Sequence, residues 1–298
     1  MPKTFTVSHD FNDSRFDKWF KLNVLDIPQS LIQKIIRQNK VKVNKKKTKT
    51  SYRVQEGDTI VVYDISKIKP KKNISIIKYK PNKQEVEEYN DYIIENNENF
   101  IVINKPAGIP VQSGTKSFRN IIDVIKDTKY FENSKPFIVH RIDKDTSGIL
   151  IIAKNREFAQ LFTSLFRIRK IHKSYLALTY GQIKISKTLI DDLTIFDKGK
   201  KIIQKAISHL KIIKSNKLYS YVELKPVTGR KHQLRKQLLN LGNPIIGDKK
   251  YFISNNKNLK IKNLMLHSYK VKFMIKNIRY NFKANYSENF GKFLSKNF

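Results

Sequence analysis

The chain has 298 residues, enough for about two domains with hydrophobic cores of their own. Its 60 Lys and Arg residues outnumber its 25 Asp and Glu residues, and the net charge of +35 indicates a polyanionic partner, either nucleic acid or an anionic membrane surface. A hydrophobic content of 40% excludes a disordered basic tail, and the absence of cysteine excludes disulfides, cysteine-ligated zinc and a cysteine nucleophile.

The N-terminal part of the sequence predicts a small helix-plus-hairpin unit. Ser30 and Gln33 have the spacing of a capping box, in which each side chain satisfies a free backbone donor, so we expect a helix to start at Ser30. A short strand at 41–43, a basic turn that begins at Asn44 and a second strand at 59–63 follow. The apolar face of the helix comprises Leu31, Ile32, Ile35 and Ile36.

Residues 66–92 are rich in lysine and show little sustained periodicity, which predicts a solvated linker between domains at 13–65 and 93–298. In the second domain the irregular spacing of strands and the small number of helices favour an α+β fold over a regular βαβ winding. Strands are predicted at 100–103, 148–153, 175–179, 219–225 and 271–275, and the spacing of Phe158, Leu161, Phe162, Leu165 and Phe166 predicts a helix.

A polar loop at 140–148, His-Arg-Ile-Asp-Lys-Asp-Thr-Ser-Gly, runs directly into a predicted buried strand. Reactive groups are commonly held on loops at the end of a rigid strand. Two other interpretations of these residues remain open. The loop could be a turn in which Asp145 bonds its own backbone and His140 is incidental, or Asp143 and Asp145 could be paired metal ligands among surrounding cations.

A second polar segment, Thr-Gly-Arg-Lys-His-Gln-Leu-Arg at 228–235, leads a predicted helix that ends at Gly242. At about 100° per residue, Leu234, Leu238 and Leu241 form the buried stripe of this helix and Arg235 lies at its edge. An arginine at that position could reach a carboxylate of a neighbouring element. A solvated basic face is the alternative.

These segments together carry a family resemblance. The loop at 140–148 resembles the signature of the RluA/RluC/RluD-type RNA pseudouridine synthases, with Ile142 in place of Leu. Residues 15–58 are similar to an S4 RNA-binding domain, and the turn at 43–46 resembles that of the C-type (RluC) large-subunit rRNA enzymes. The chain departs from the family pattern at Lys236-Gln237, at Ser268 and after Tyr251. Four further segments resemble family motifs in the same order: 102–108, 173–175, 228–235 and 244–248.

The resemblance implies both a fold and a reaction. The fold is α+β, with a small S4 (αL-like, helix-plus-hairpin) RNA-binding domain before a catalytic domain built on a mixed, mostly antiparallel sheet with flanking helices. The reaction isomerises specific uridines to pseudouridine in RNA, with Asp143 as the catalytic carboxylate and with no cofactor and no metal. The C-type similarity implies large-subunit (23S) rRNA as the substrate.

The resemblance also implies roles for other residues. Arg235 would pair with Asp143 and hold it ionised, Tyr175 would lie against the uracil ring and could help to remove the C5 proton, and His140 would support the loop. Arg141 would occupy the gap left by the flipped uridine. Affinity for RNA phosphates would come from Lys34, Arg37, Lys40, Lys42, Lys45, Arg230 and His232.

Other functions remain open from the sequence: a tRNA-directed pseudouridine synthase, a noncatalytic RNA-binding or ribosome-assembly factor with the same fold and, third, a metal-dependent nuclease.

Apolar runs such as 149–153 are far shorter than the roughly 20 residues that cross a bilayer. Residues 1–10 contain no apolar stretch of the signal-peptide type. We therefore expect a cytoplasmic protein that does not bind membranes. We also expect it to be a monomer.

Overall fold

The structure is a computed structural model that describes residues 2–63, 79–113, 118–197, 200–253, 261 and 263–298. The chain forms two compact units, divided between residues 77 and 78. None of the helices in these ranges is long and apolar enough to cross a membrane.

The first unit is a small antiparallel sheet packed against two helices. Its four-stranded sheet has the order β1-β6-β3-β4, and β2 pairs separately with β5. Strand β1 pairs with β6 along its whole length, so the unit begins well before residue 13, where we predicted the first domain to start. The elements are β1 (Lys3–Thr6), β2 (Ser14–Arg15), α1 (Phe16–Asn23), α2 (Gln29–Arg37), β3 (Val41–Val43), β4 (Lys46–Lys47), β5 (Arg53–Val54) and β6 (Thr59–Val62).

Helix α2 corrects the predicted capping box. The helix begins at Gln29, its N-cap is Pro28, and no side chain bonds the backbone there. Because the proline ring fixes φ near the helical value, Pro28 suits the entrance to a helix. The Gln29 amide instead donates to the buried Asp17 carboxylate of α1 at 2.6 Å, so a tertiary contact supports the start of α2. The predicted apolar face is confirmed, with Ile32, Ile35 and Ile36 buried.

The second unit is built on a mixed, mostly antiparallel sheet with the order β12-β13-β14-β11-β15-β10-β8-β7, in which β16 also pairs with β15 and β9 with β10. Among the described pairings, β10 and β15 run parallel and the others antiparallel. The elements are α3 (Lys83–Glu88), β7 (Ile93–Asn96), β8 (Phe100–Lys105), α4 (Ile121–Lys126), β9 (Phe137–Ile138), β10 (Ser147–Ala153), α5 (Arg156–Arg167), β11 (His172–Tyr180), β12 (Lys187–Asp197), β13 (Lys200–Ser215), β14 (Tyr219–Pro226), α6 (Gln233–Asn240), β15 (Leu266–Ile275), β16 (Ile278–Lys283) and α7 (Glu288–Asn297).

The five strands and the two helices predicted for this unit are present, but the predicted linker is partly structured. Residues 66–78 of that linker lie outside the described residues. Helix α3 follows them, capped by the Asn82 side chain, and Glu85 and Tyr89 are buried. Burial of Glu85 depends on Arg119, whose Nε lies 2.7 Å from the carboxylate although it is 34 positions away in sequence. A local pattern dominated by lysine could not indicate that contact.

At Gly148, near the start of β10, the backbones of two strands approach each other closely. This glycine pairs with Ser268 of β15 and has a φ of 104°, a left-handed value that favours glycine. A Cβ atom at this position would overlap the Ser268 carbonyl oxygen and lie 2.7 Å from its nitrogen. The contact fixes the end of the 140–148 loop against β15.

We expect the Gly148→Ala variant to lose at least about 3 kcal/mol of unfolding free energy, because it adds a backbone overlap to the left-handed strain. Gly242→Ala is the matched control: φ is 84° there and a Cβ would meet nothing within 4 Å, so only about 1 kcal/mol should be lost. Urea unfolding followed by circular dichroism measures both. Equal losses in the two variants would contradict the proposed close approach.

Candidate active site

The loop that carries Asp143 is anchored at its beginning by His140. The Ile151 N–H of β10 donates to His140 Nε2 at 2.8 Å, and the imidazole stacks on Phe166 of α5 with the ring centres 4.6 Å apart. Burial, aided by the nearby Lys173 charge, lowers the pKa of His140 to about 3. The imidazole is therefore a neutral acceptor that ties the loop to the sheet.

Lys105, at the end of β8, anchors the same loop from the other side. Its fully buried ammonium donates to the carbonyls of Pro106 at 2.7 Å, Ile109 at 2.9 Å and Lys144 at 3.0 Å. Burial lowers the pKa of Lys105 to about 7, against the opposing effect of Asp145 and Asp143. The 102–108 segment stands out in the sequence, but nothing in it predicts this role of Lys105. Since Lys144 follows Asp143 directly, the contact restrains the backbone beside the carboxylate.

The carboxylate of Asp143 is open to solvent on one side and faces two nitrogen groups on the other. Its side chain is 29% exposed, His232 Nε2 lies 3.7 Å from Oδ1, and Arg235 Nη1 lies 3.9 Å from Oδ2. Both nitrogens come from the 228–235 segment. The two polar segments identified in the sequence therefore meet at this carboxylate.

Arg235 differs from the prediction in its main partner. Its side chain is 6% exposed, so it is buried and not at the edge of the buried stripe of α6, where it was predicted. It binds Asp248 through Nε–Oδ2 at 2.7 Å and Nη2–Oδ1 at 2.6 Å. Burial disfavours its charge, but Asp248 and then Asp143 outweigh this and raise the pKa of Arg235 above its ordinary value. Asp143 is thus the second carboxylate on one guanidinium. Asp248 was missed, although it lies in the 244–248 motif segment.

His232 was predicted to bind RNA phosphates, but the structure places it beside Asp143. It has a left-handed φ of 55° at the N-cap of α6, and its Nδ1 lies 2.9 Å from the Tyr251 hydroxyl. Burial raises the pKa of Tyr251, so the hydroxyl keeps its proton and can donate to Nδ1. A neutral imidazole then carries its own proton on Nε2, the atom that faces Asp143.

A cavity of about 110 Å³ opens beside Asp143. Tyr175 of β11 lines it, and burial raises the pKa of this tyrosine to about 12 while its hydroxyl bonds Ser268. A phenol that keeps its proton presents a neutral ring and is a poor proton acceptor, which favours the predicted ring contact over the removal of a proton. Other cavity-lining residues include Arg141, Lys173, Arg230, His232 and Arg235.

The remaining predicted RNA contacts lie at two places. Arg230 lines the cavity, and its Nε donates to the Lys205 carbonyl at 3.2 Å. In the first unit, Lys34, Arg37 and Lys45 are exposed, whereas Lys40 and Lys42 are half-buried. As for the metal interpretation, no group of three or more His, Asp or Glu side chains that could hold an ion occurs in the described ranges.

Comparison with known proteins finds relatives along most of the chain. Residues 99–240 match the model of the RNA pseudouridylate synthase family and residues 25–60 that of the S4 domain. The ribosomal large subunit pseudouridine synthase C of Buchnera aphidicola subsp. Baizongia pistaciae (strain Bp) is 32% identical over an alignment of 304 positions. This alignment covers 92% of this chain and 91% of the relative. The protein of the same name from Rickettsia bellii (strain RML369-C) is 36% identical over 264 residues, with 80% and 82% covered. The solved structure of human RNA pseudouridylate synthase domain containing 4 has a TM-score of 0.61 at 25% identity, with 71% of this chain and 94% of that one covered.

The contact between His232 and Asp143 predicts a change in the titration of His232. Burial lowers the pKa of His232, and the Asp143 charge opposes this by stabilising the imidazolium. In Asp143→Asn that opposition is lost, so the pKa of His232 should fall further in an NMR titration of the imidazole signals. Asp145→Asn, which removes an exposed carboxylate of the same loop, should leave it unchanged. An unchanged or higher value in Asp143→Asn would contradict the contact.

Proposed function

We propose that this chain, which belongs to the RNA pseudouridylate synthase family, converts uridines of large-subunit ribosomal RNA to pseudouridine with Asp143 as the catalytic carboxylate. The chain is an RNA pseudouridine synthase, an isomerase that also contains an S4 domain. The observation that carries the assignment of Asp143 is its position: a partly exposed carboxylate at the cavity, with Arg235 and His232 on its closed side.

The reaction breaks the bond between ribose C1′ and uracil N1 and forms a bond between C1′ and C5, after which C5 loses a proton to solvent and N1 takes one up. No atom is added to the nucleotide. An ionised carboxylate can attack C1′ or C6, or can remove a ribose proton to give a glycal, and each route needs the negative charge on Asp143. Arg235 and the Nε2–H of His232 stabilise that charge and orient the oxygens without covering the side that faces the cavity.

The uridine reaches the cavity by leaving its stack, which costs a few kcal/mol and less where the base is unpaired. Tyr175 offers the base a neutral ring on which to lie. Arg141 is exposed on the same loop as Asp143 and is suited to occupy the gap left in the RNA. Unpaired or weakly paired uridines in loops and bulges are therefore the expected targets.

The choice of ribosomal RNA rests on the names of the relatives, while the positive charge of the chain supports RNA as the substrate in general. Relatives with identities of 32% and 36% are called ribosomal large subunit pseudouridine synthase C. The exposed Lys34, Arg37 and Lys45 of the S4 domain would add contacts to RNA phosphates, which supply affinity more than sequence choice. A cytoplasmic monomer stays part of the same prediction, with tRNA as the alternative substrate.

We expect Asp143→Asn to reduce pseudouridine formation by at least about a thousandfold, because it removes the charge that every route requires. Release of tritium from uridine labelled at C5 measures the reaction in fragments of 23S rRNA. Binding of the same fragments should stay within about threefold of wild type, since phosphate contacts supply most of the affinity. Asp145→Asn is the matched control and should remain active.

Product formation by Asp143→Asn at the wild-type rate would refute the assignment of Asp143. The same assay with tRNA transcripts separates the two substrates: we expect product in 23S rRNA fragments and none in tRNA. Product in tRNA alone would overturn the choice of ribosomal RNA while leaving the reaction intact.

A further inference from the structure

The sheet of the second unit carries lysines on the face opposite to the cavity. Successive side chains of a strand point to opposite faces, and Lys173 and Tyr175 of β11 line the cavity, so Ser174 between them points away from it. Ser174 pairs with Lys270 of β15, which in turn pairs with Lys283 of β16. Because paired residues share a face, both lysines point away from the cavity.

The same face continues across two further strands. Pro226 of β14 lines the cavity, so its neighbour Lys225 points away from it. Glu223, two positions before Lys225, shares this face and pairs with Lys211 of β13. Lys272 shares it too, two positions after Lys270 on β15. We call Lys211, Lys225, Lys270, Lys272 and Lys283 the basic row.

The lysines of the basic row lie close to one another, and their positive charges are only partly balanced by the neighbouring Glu223. Lys270 and Lys283 stand directly opposite each other on paired strands, an arrangement that destabilises a sheet. Partial burial and then the Lys272 and Lys283 charges lower the pKa of Lys270, and Glu223 only partly opposes them. That glutamate lies 3.2 Å from Lys225, so one acidic group serves several lysines. A polyanion laid over the row would relieve the repulsion.

The row also remains accessible. Helix α7 covers part of the same face, where Phe290 packs against Tyr221 of β14 with the ring centres 6.2 Å apart. Beyond that contact the lysine side chains reach solvent, and that of Lys225 is 54% exposed. From β13 to β16 the row crosses four strand spacings, about 19 Å, long enough to meet several phosphates of one nucleic-acid strand.

We propose that the basic row is a second RNA-binding surface, which contacts phosphates of the substrate RNA far from the uridine in the cavity. The proposal rests on the proposed function, since it takes the RNA in the cavity and the RNA on the row to be one molecule. RNA that reaches both faces of the sheet must pass around an edge of it. A short stem-loop can occupy only the cavity, whereas a large folded rRNA fragment can occupy the cavity and contact the basic row at the same time.

The triple variant Lys270→Gln, Lys272→Gln, Lys283→Gln tests the proposal, with Lys126→Gln, Lys129→Gln, Lys135→Gln as a control that removes equal charge elsewhere in the unit. For a large folded 23S fragment, we expect the row variant to raise Kd at least about tenfold and to reduce the slope of log K against log salt by about 2 to 3. The control should change Kd less than about threefold. On a short stem-loop substrate, kcat and KM of the row variant should equal those of wild type.

The outcomes separate the proposal from its premise. Equal effects of the row and control variants on binding of the large fragment would overturn the basic row. Failure of wild type to isomerise any RNA would instead overturn the proposed function. If the triple variant fails to fold, the single Lys283→Gln on β16 gives the same comparison, with an expected slope change of about 0.9. Replacement of the three lysines by arginine should restore binding of the large fragment.

Discussion

The buried pair of Arg235 and Asp248 is the interaction on which the site depends. Removing one member of such a pair leaves an uncompensated charge, which costs about 3 to 5 kcal/mol. Asp248 takes two guanidinium nitrogens, and the third, Nη1, faces Asp143 at 3.9 Å. The same carboxylate accepts the backbone N–H groups of Lys250 and Tyr251, both at 2.9 Å. Since the Tyr251 hydroxyl bonds His232, one ion pair positions both nitrogen groups next to Asp143.

The other side of the site is held by contacts with backbone groups. Lys105 binds the carbonyl beside Asp143, His140 accepts from β10, and Gly148 lets the loop end lie against Ser268. None of these groups takes up the Asp143 oxygens, so the carboxylate is fixed through its backbone and kept available at the cavity. Because the backbone of the loop is held separately from its carboxylate, the Asp143 oxygens stay accessible in a chain with a net charge of +35 and are not covered by surrounding lysines.

Features that depend on local sequence patterns were predicted correctly for the most part. Features that depend on a contact with a residue far away in the sequence were missed. Apolar runs located the strands, and the two polar segments contain Asp143 and Arg235, whereas Tyr175 was named only through the family resemblance. The main partner of Arg235 was missed because Asp248 lies in a separate turn, and its importance comes from burial that no local pattern reports. The capping box predicted at Ser30 failed for the same reason, because the start of α2 is supported by the bond from Gln29 to Asp17 in another helix. The basic row depends on the register between β15 and β16, which only the structure supplies.

The decisive measurement is kcat of the Asp248→Asn variant on a short uridine-containing stem-loop, at a temperature where circular dichroism shows the variant folded. Asp248 lies behind Arg235, so the amide should leave KM within about threefold of wild type. We predict that kcat falls roughly a hundredfold, which matches the upper end of the loss seen when the partner that orients a metal ligand is removed. A folded variant with the wild-type kcat would contradict the claim that this buried pair positions Asp143.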